Sequence, residues 1–107
     1  MSEFDKREEG FEKKFALDEE QKFKAEARRN RLLGLWAAEK LGITGDAATA
    51  YAREVVAADF EEAGNRGVLR KLVADFAAGN VAVTEQAIRT KMSELIAVAA
   101  AEVKAGK

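Results

Sequence analysis

Apolar residues recur along most of the chain at the three- and four-residue spacing of a buried helix face. The clearest stripe lies near the end and consists of Ile88, Met92, Leu95, Ile96, Ala99 and Val103. Two earlier stripes, the second less regular, are formed by Leu69, Leu72, Val73 and Phe76, and by Ala48, Ala52, Val55, Val56 and Phe60. The segment 32–41 is apolar around much of its circumference, which predicts a helix at the centre of a bundle.

Capping residues and glycines predict the ends of four helices. Asp18 and Gln21 have the spacing of a capping box, so the first helix is predicted to begin there and to run to about Leu41. Gly34 lies inside this helix and is interpreted as a point where another helix crosses closely. The other helices are predicted to begin after Thr44 or Asp46, after Asn65 and after Thr84, and to end near Ala63, Gly79 and Lys104.

Composition supports an all-α fold. Ala, Glu, Lys, Leu and Arg make up more than half of the 107 residues, and the chain contains no proline. Short connections between helices favour antiparallel neighbours. We therefore predict a four-helix bundle over residues 18–107, preceded by a flexible segment over residues 1–17.

The N-terminal segment is unusually charged. Residues 1–31 carry nine basic and nine acidic side chains, and few large apolar ones precede Asp18. A segment of this kind buries little surface by itself, so we expect a mobile, partly helical arm in the free protein. On a continuous helix Phe4, Phe11 and Phe15 would project within about 40° of one another and form a narrow aromatic seam.

This aromatic seam has two interpretations. It favours a helix that inserts into a groove on another protein, because the rest of the segment is charged and the bundle pattern is complete without it. The alternative is that the seam folds back and completes the core of the bundle. A bundle that dimerises through the seam is a third possibility.

Several classes of function are excluded by what the chain lacks. Without Cys or His, disulfides, zinc sites that need imidazole and the usual nucleophilic triads are absent, so we expect no metal site and no enzyme. The net charge of −1 gives no overall field for nucleic acid. No apolar run is long enough to span a membrane, and the N-terminus lacks a secretory signal, so a cytoplasmic protein is expected. We also expect it to be a monomer when free.

The sharpest basic cluster consists of Arg28, Arg29 and Arg31, which fan around the first helix. In one interpretation their guanidinium groups are solvated and their aliphatic side-chain carbons pack on the protein surface. In the other, they bind an anion or a nucleotide phosphate, or contact an acidic surface of a partner. The alternative function is therefore a small sensor without catalysis. It would bind an adenine nucleotide weakly, with Trp36 or Tyr51 stacking on the base. Trp36 is otherwise a core anchor, because it falls in the Leu-rich half of its helix.

A resemblance to a known family covers nearly the whole chain. The matching positions are Phe4, Asp5, Arg7, Glu8, Glu12, Lys14, Phe15, Ala16 and Asp18, followed by Phe23–Asn30, Leu32–Gly34 and Trp36–Ala38. Weaker matches continue through Thr44–Asp46, Tyr51–Ala52, Asp59–Phe60, Arg70–Leu72, Lys91–Met92 and Glu94–Leu95. In these positions the chain resembles the alphaproteobacterial zeta subunits, which are inhibitors of the F1-ATPase. The stretch 24–30 with the Leu-Leu-Gly that follows is the specific part.

The resemblance implies a four-helix bundle with a mobile inhibitory N-terminus. In the family this region enters a catalytic interface of F1, near the central stalk, and blocks rotation in the direction of ATP hydrolysis. It implies the catalytic subunits and central stalk of F1 as partners, at an ATP synthase of the inner membrane. The partner-binding residues are then the nine matched positions 4–18 together with Phe11 of the aromatic seam.

Overall fold

The computed structural model describes residues 14–61 and 65–107. In these ranges the chain forms four helices and no strand: α1 Glu19–Leu41, α2 Gly45–Ala58, α3 Arg66–Ala78 and α4 Glu85–Lys104. The predicted all-α helix bundle is confirmed. None of the described helices is both long enough and apolar enough to cross a membrane.

Side-chain caps fix the start of α1 and of α4. The Gln21 backbone N–H donates to Asp18 Oδ1 at 2.7 Å, and the Asp18 N–H donates to Gln21 Oε1 at 3.2 Å, which completes the predicted capping box. Thr84 Oγ1 accepts from the Ala87 N–H at 3.0 Å. Gly42 ends α1 in the left-handed conformation, with φ of 76°, which costs glycine little.

The second helix is shorter than predicted. It ends at Ala58 instead of continuing to about Ala63, and the N–H of Phe60 donates to the Ala57 carbonyl at 3.1 Å in a tight turn. Because this turn leaves the helical repeat, Phe60 is 74% exposed and does not belong to the buried stripe. Val73 of α3 is likewise exposed, although the stripe placed it inside.

The first helix is central, as its apolar circumference predicted. It packs extensively against α2 and α4, whereas α3 makes smaller contacts with all three of its neighbours. At the α1–α2 crossing, a Cβ atom on Gly34 would lie 2.7 Å from Ala52 Cα, so the two backbones approach as closely as glycine allows. The main core consists of Leu33, Ala37, Ala38, Tyr51, Val55, Val68, Leu72, Phe76 and Ile88.

Candidate functional site

The junction between the N-terminal segment and the bundle is a sharp bend. Lys14 and Phe15 have helical backbone, Ala16 takes the left-handed conformation with φ of 52°, and Asp18 then caps α1. A capped helix start cannot also be the interior of a longer helix. The helical backbone at Lys14 and Phe15 is therefore not an extension of α1.

Two apolar side chains at this bend join the bundle. Leu17 is buried in a smaller core with Ala25 of α1 and Ala99 and Ala100 of α4, and Phe15 packs against the same cluster. The expectation that Phe15 stands clear of the bundle is wrong. The alanines of α1 and α4 leave space at the surface, and the turn at Ala16 brings the ring into it.

The remaining predicted partner-binding residues divide into two groups. Lys14 is exposed, with its Nζ atom 5.5 Å from the centroid of the Phe15 ring, and the Asp18 carboxylate serves as the cap of α1. Six positions lie outside the described residues: Phe4, Asp5, Arg7, Glu8, Phe11 and Glu12.

The three arginines of the basic cluster have three different surroundings. Arg28 Nη1 lies 3.4 Å from Glu102 Oε1, and its Nη2 donates to the Lys107 carbonyl. Arg29 is only 6% exposed, and its Nη2 donates to Asn65 Oδ1 at 2.6 Å. Arg31 is exposed. The cluster is thus not one anion-binding patch.

The bond from Arg29 gives Asn65 a role that the sequence did not predict. Asn65 was predicted to cap α3, but its side chain makes no capping bond and its φ is 69°. Asparagine tolerates this left-handed conformation better than most residues, so an Asn before a helix is compatible with either geometry. Here the amide oxygen is turned towards α1 and connects the start of α3 to the central helix.

Arg31 borders a groove between α1 and α2. The groove has a volume of about 340 Å³ and lies beside the close crossing of Gly34 and Ala52. We call it the arginine groove; it is lined by Arg31, Leu35, Thr49, Ala52, Arg53 and Val56. The sequence did not point to Arg53, because its position opposite Arg31 depends on how the two helices cross.

Comparison with known proteins identifies the family. The sequence model of the ATPase inhibitor subunit zeta family matches residues 1–102. The chain belongs to this family. It is also similar to a protein solved by solution NMR, with 52% sequence identity and a TM-score of 0.70 over 79% of this chain and 96% of the other. A search of curated proteins found no match.

Membership in the zeta inhibitor family makes the chain a regulator of an ATPase. Within residues 14–61 and 65–107, no group of three or more acidic, His or Cys side chains is placed to hold a metal ion. Two features of the described surface are candidates for the site of this zeta-family inhibitor: the bend at Ala16 and the arginine groove.

Of the two aromatic residues considered for nucleotide stacking, Tyr51 belongs to the main core and Trp36 is half-buried against it. Trp36 packs edge-to-face on Phe76, with ring centroids 5.8 Å apart, which confirms its role as a core anchor. The Tyr51 hydroxyl donates to Asp75 Oδ2 at 2.6 Å. Neither ring lines the arginine groove. Binding of an adenine nucleotide stays a prediction.

Burial and the Asp75 carboxylate raise the pKa of the Tyr51 phenol well above its usual range. Desolvation of the phenolate is the largest cause, followed by the hydrogen bond to Asp75, which only the neutral phenol can donate. Lys71 completes the cluster, with Nζ 3.0 Å from Asp75 Oδ2 and 4.9 Å from the Tyr51 ring centroid. These contacts join α2 to α3 at the edge of the main core.

Proposed function

We propose that this zeta-family protein inhibits ATP hydrolysis by inserting its N-terminal segment, as a helix, into a catalytic interface of F1 near the central stalk. It acts from the cytoplasm on the ATP synthase of the inner membrane, as a monomer and without catalysis of its own. The observation that carries the proposal is the bend at Ala16, which separates the segment from the capped start of α1. The segment can therefore enter a partner while the bundle stays folded.

Inhibition by this route is selective binding. A helix that fits one rotational state of the motor better than the others shifts the population towards that state and stalls the cycle. Phe4 and Phe11 are the aromatic anchors ahead of the bend. Buried aromatic anchors commonly contribute about 2 kcal/mol or more each to an interface.

The contact of Phe15 with the bundle is compatible with this mechanism. Full burial of a phenylalanine side chain is worth about 1.5–3 kcal/mol, and Phe15 is only half-buried. The contact is therefore weaker than the two anchors together. It holds the end of the segment at α1 and α4 in the free protein without preventing its engagement.

The test is ATP hydrolysis by cognate F1 with increasing amounts of inhibitor. Changing Phe4 and Phe11 together to Ala should raise the concentration needed for half-maximal inhibition by more than about thirtyfold, the loss expected from one anchor alone. The melting midpoint of the bundle should not change. A matched control is Phe23→Ala, since Phe23 is also a phenylalanine but lies on α1 and is 61% exposed; this variant should inhibit like the wild type.

Two results would count against the proposal. A double variant as potent as the wild type would show that the aromatic seam is not the anchor. A wild-type protein that leaves hydrolysis by cognate F1 unchanged would contradict the inhibitory function itself.

A further inference from the structure

We propose that the arginine groove is a second docking surface of the inhibitor, and that it takes an acidic segment of the ATPase with an apolar side chain between two carboxylates. This inference rests on the proposed function, because the partner is the same assembly. It assigns a binding role to the bundle itself, in addition to the N-terminal segment.

The groove is held open by the packing of α1 on α2. Gly34 and Ala52 bring the two backbones together, so the larger residues on either side of the crossing form walls. Leu35 of α1 and Val56 of α2 are both half-buried and form an apolar floor. Because the crossing belongs to the main contact of the bundle, the floor has a fixed shape before a partner arrives.

Arg31 and Arg53 stand on opposite walls of this floor, one on each helix, and both are exposed. Across residues 14–61 and 65–107, neither guanidinium has an ion pair or a hydrogen bond. Other cations of the bundle are paired, for example Lys24 with Glu20 at 3.1 Å on α1, and Lys71 of α3 with both Glu54 and Asp75. The groove is thus a local excess of positive charge on a chain of net charge −1.

This combination fits an acidic protein segment. Guanidinium groups bind carboxylates through two parallel hydrogen bonds. In the groove, the apolar floor would contact an apolar side chain of the partner, and the arginine on each side would bind an acidic side chain next to it. A peptide helix with one apolar residue and acids a turn away has that arrangement. Unpaired rim charges of this kind act mainly on the rate of association and on specificity.

The test compares two double charge reversals in the full-length protein. The groove variant carries Arg31→Glu and Arg53→Glu. The matched control carries Arg66→Glu and Arg89→Glu, which produce the same change in net charge at two exposed arginines outside the groove. Inhibition of ATP hydrolysis by cognate F1 and the association rate constant are measured at low and at physiological salt, and thermal melting checks the fold of each variant.

The groove variant should inhibit about tenfold more weakly than the control at low salt, mainly through slower association, and the difference should shrink as salt increases. If both variants inhibit equally, the groove is not a docking surface, while the proposed function stands. If the wild type does not inhibit, the proposed function fails and takes the groove's assignment with it.

Two further measurements address a groove variant that fails to fold and a groove that is occupied by a second copy of the chain. If the groove variant melts early, the neutral pair Arg31→Gln and Arg53→Gln replaces it, and a weaker effect in the same direction is expected. Sedimentation of the wild type tests the other occupant, a second copy of the chain. A dimer that the groove variant abolishes, with inhibition unchanged, would overturn the proposal in favour of self-association.

Discussion

At the scale of single residues, Gly34 sets the distance between the two most extensively packed helices. Its missing side chain lets Ala52 of α2 approach the backbone of α1 directly. A methyl group added at Gly34 would first meet the backbone Cα of Ala52 and not the flexible end of a side chain. A change of side-chain rotamer cannot relieve this clash, so the helices would have to move apart. The close crossing also determines the shape of the arginine groove beside it.

Gly34→Ala should therefore destabilise the bundle, although alanine is the better helix former. Overpacking typically costs about 1–3 kcal/mol, and the gain in helix propensity offsets about 1 kcal/mol of it. We expect a net loss of up to about 2 kcal/mol in the free energy of unfolding, measured by denaturant titration. A variant as stable as the wild type would mean that α1 and α2 separate at little cost.

Tyr51 makes the stability of the bundle decrease as the pH rises in the alkaline range. The folded state holds the phenol neutral, since its pKa is raised there, whereas the unfolded chain releases the proton near pH 10. The stabilisation is thus complete below about pH 10 and is lost as the pH rises beyond it. Unfolding free energies of the wild type and Tyr51→Phe, compared from neutral to alkaline pH, should converge as this contribution disappears.

Tyr51 is the only tyrosine of the chain, so the absorbance of tyrosinate reports its ionisation alone. In the folded wild type this absorbance should appear only well above pH 10. Ionisation at the ordinary pKa in a still-folded protein would contradict the buried bond to Asp75.

At the scale of secondary-structure elements, the junction before α1 belongs to the folded unit. Phe15 and Leu17 share the smaller core with alanines of α1 and α4. This core links the first described residues to the last helix, and Arg28 reinforces the same end of the bundle through Glu102. The end of the N-terminal segment is thus fastened to the bundle at one point.

Phe15→Ala should lower the stability of the bundle by about 1–2 kcal/mol, less than the 3–5 kcal/mol typical of a fully buried phenylalanine. The reason is that its ring is only half-buried against the smaller core. Thermal melting against the Phe23→Ala control, which removes an exposed ring, measures the difference. Equal midpoints for the two variants would show that Phe15 does not hold the junction.

At the scale of the whole molecule, the sequence predicts the architecture well. Helical periodicity and caps identify all four described helices, and the Asp18 box and the Thr84 cap lie where they were predicted. These features depend on residues close together in the chain, so local reasoning reaches them. The apolar circumference of α1 likewise predicts its central place.

The missed features depend on how distant elements meet. The Arg29–Asn65 bond joins residues 36 positions apart, and the pairing of Arg31 with Arg53 across one groove follows from the crossing of two helices. Phe15 was assigned to a partner because the stripes after Asp18 looked complete. The space left by Ala25, Ala99 and Ala100 is visible only once α1 and α4 are packed together.

The conformation of Ala16 has an energetic consequence for the release of the segment. Alanine disfavours the left-handed region by about 1–2 kcal/mol, so the bend is held by the packing of its neighbours and not by its own preference. When Phe15 leaves the smaller core, Ala16 recovers that energy, which offsets much of the burial lost. In the proposed mechanism, a partner that draws Phe15 out of the smaller core would therefore have to supply only part of the free energy of its burial.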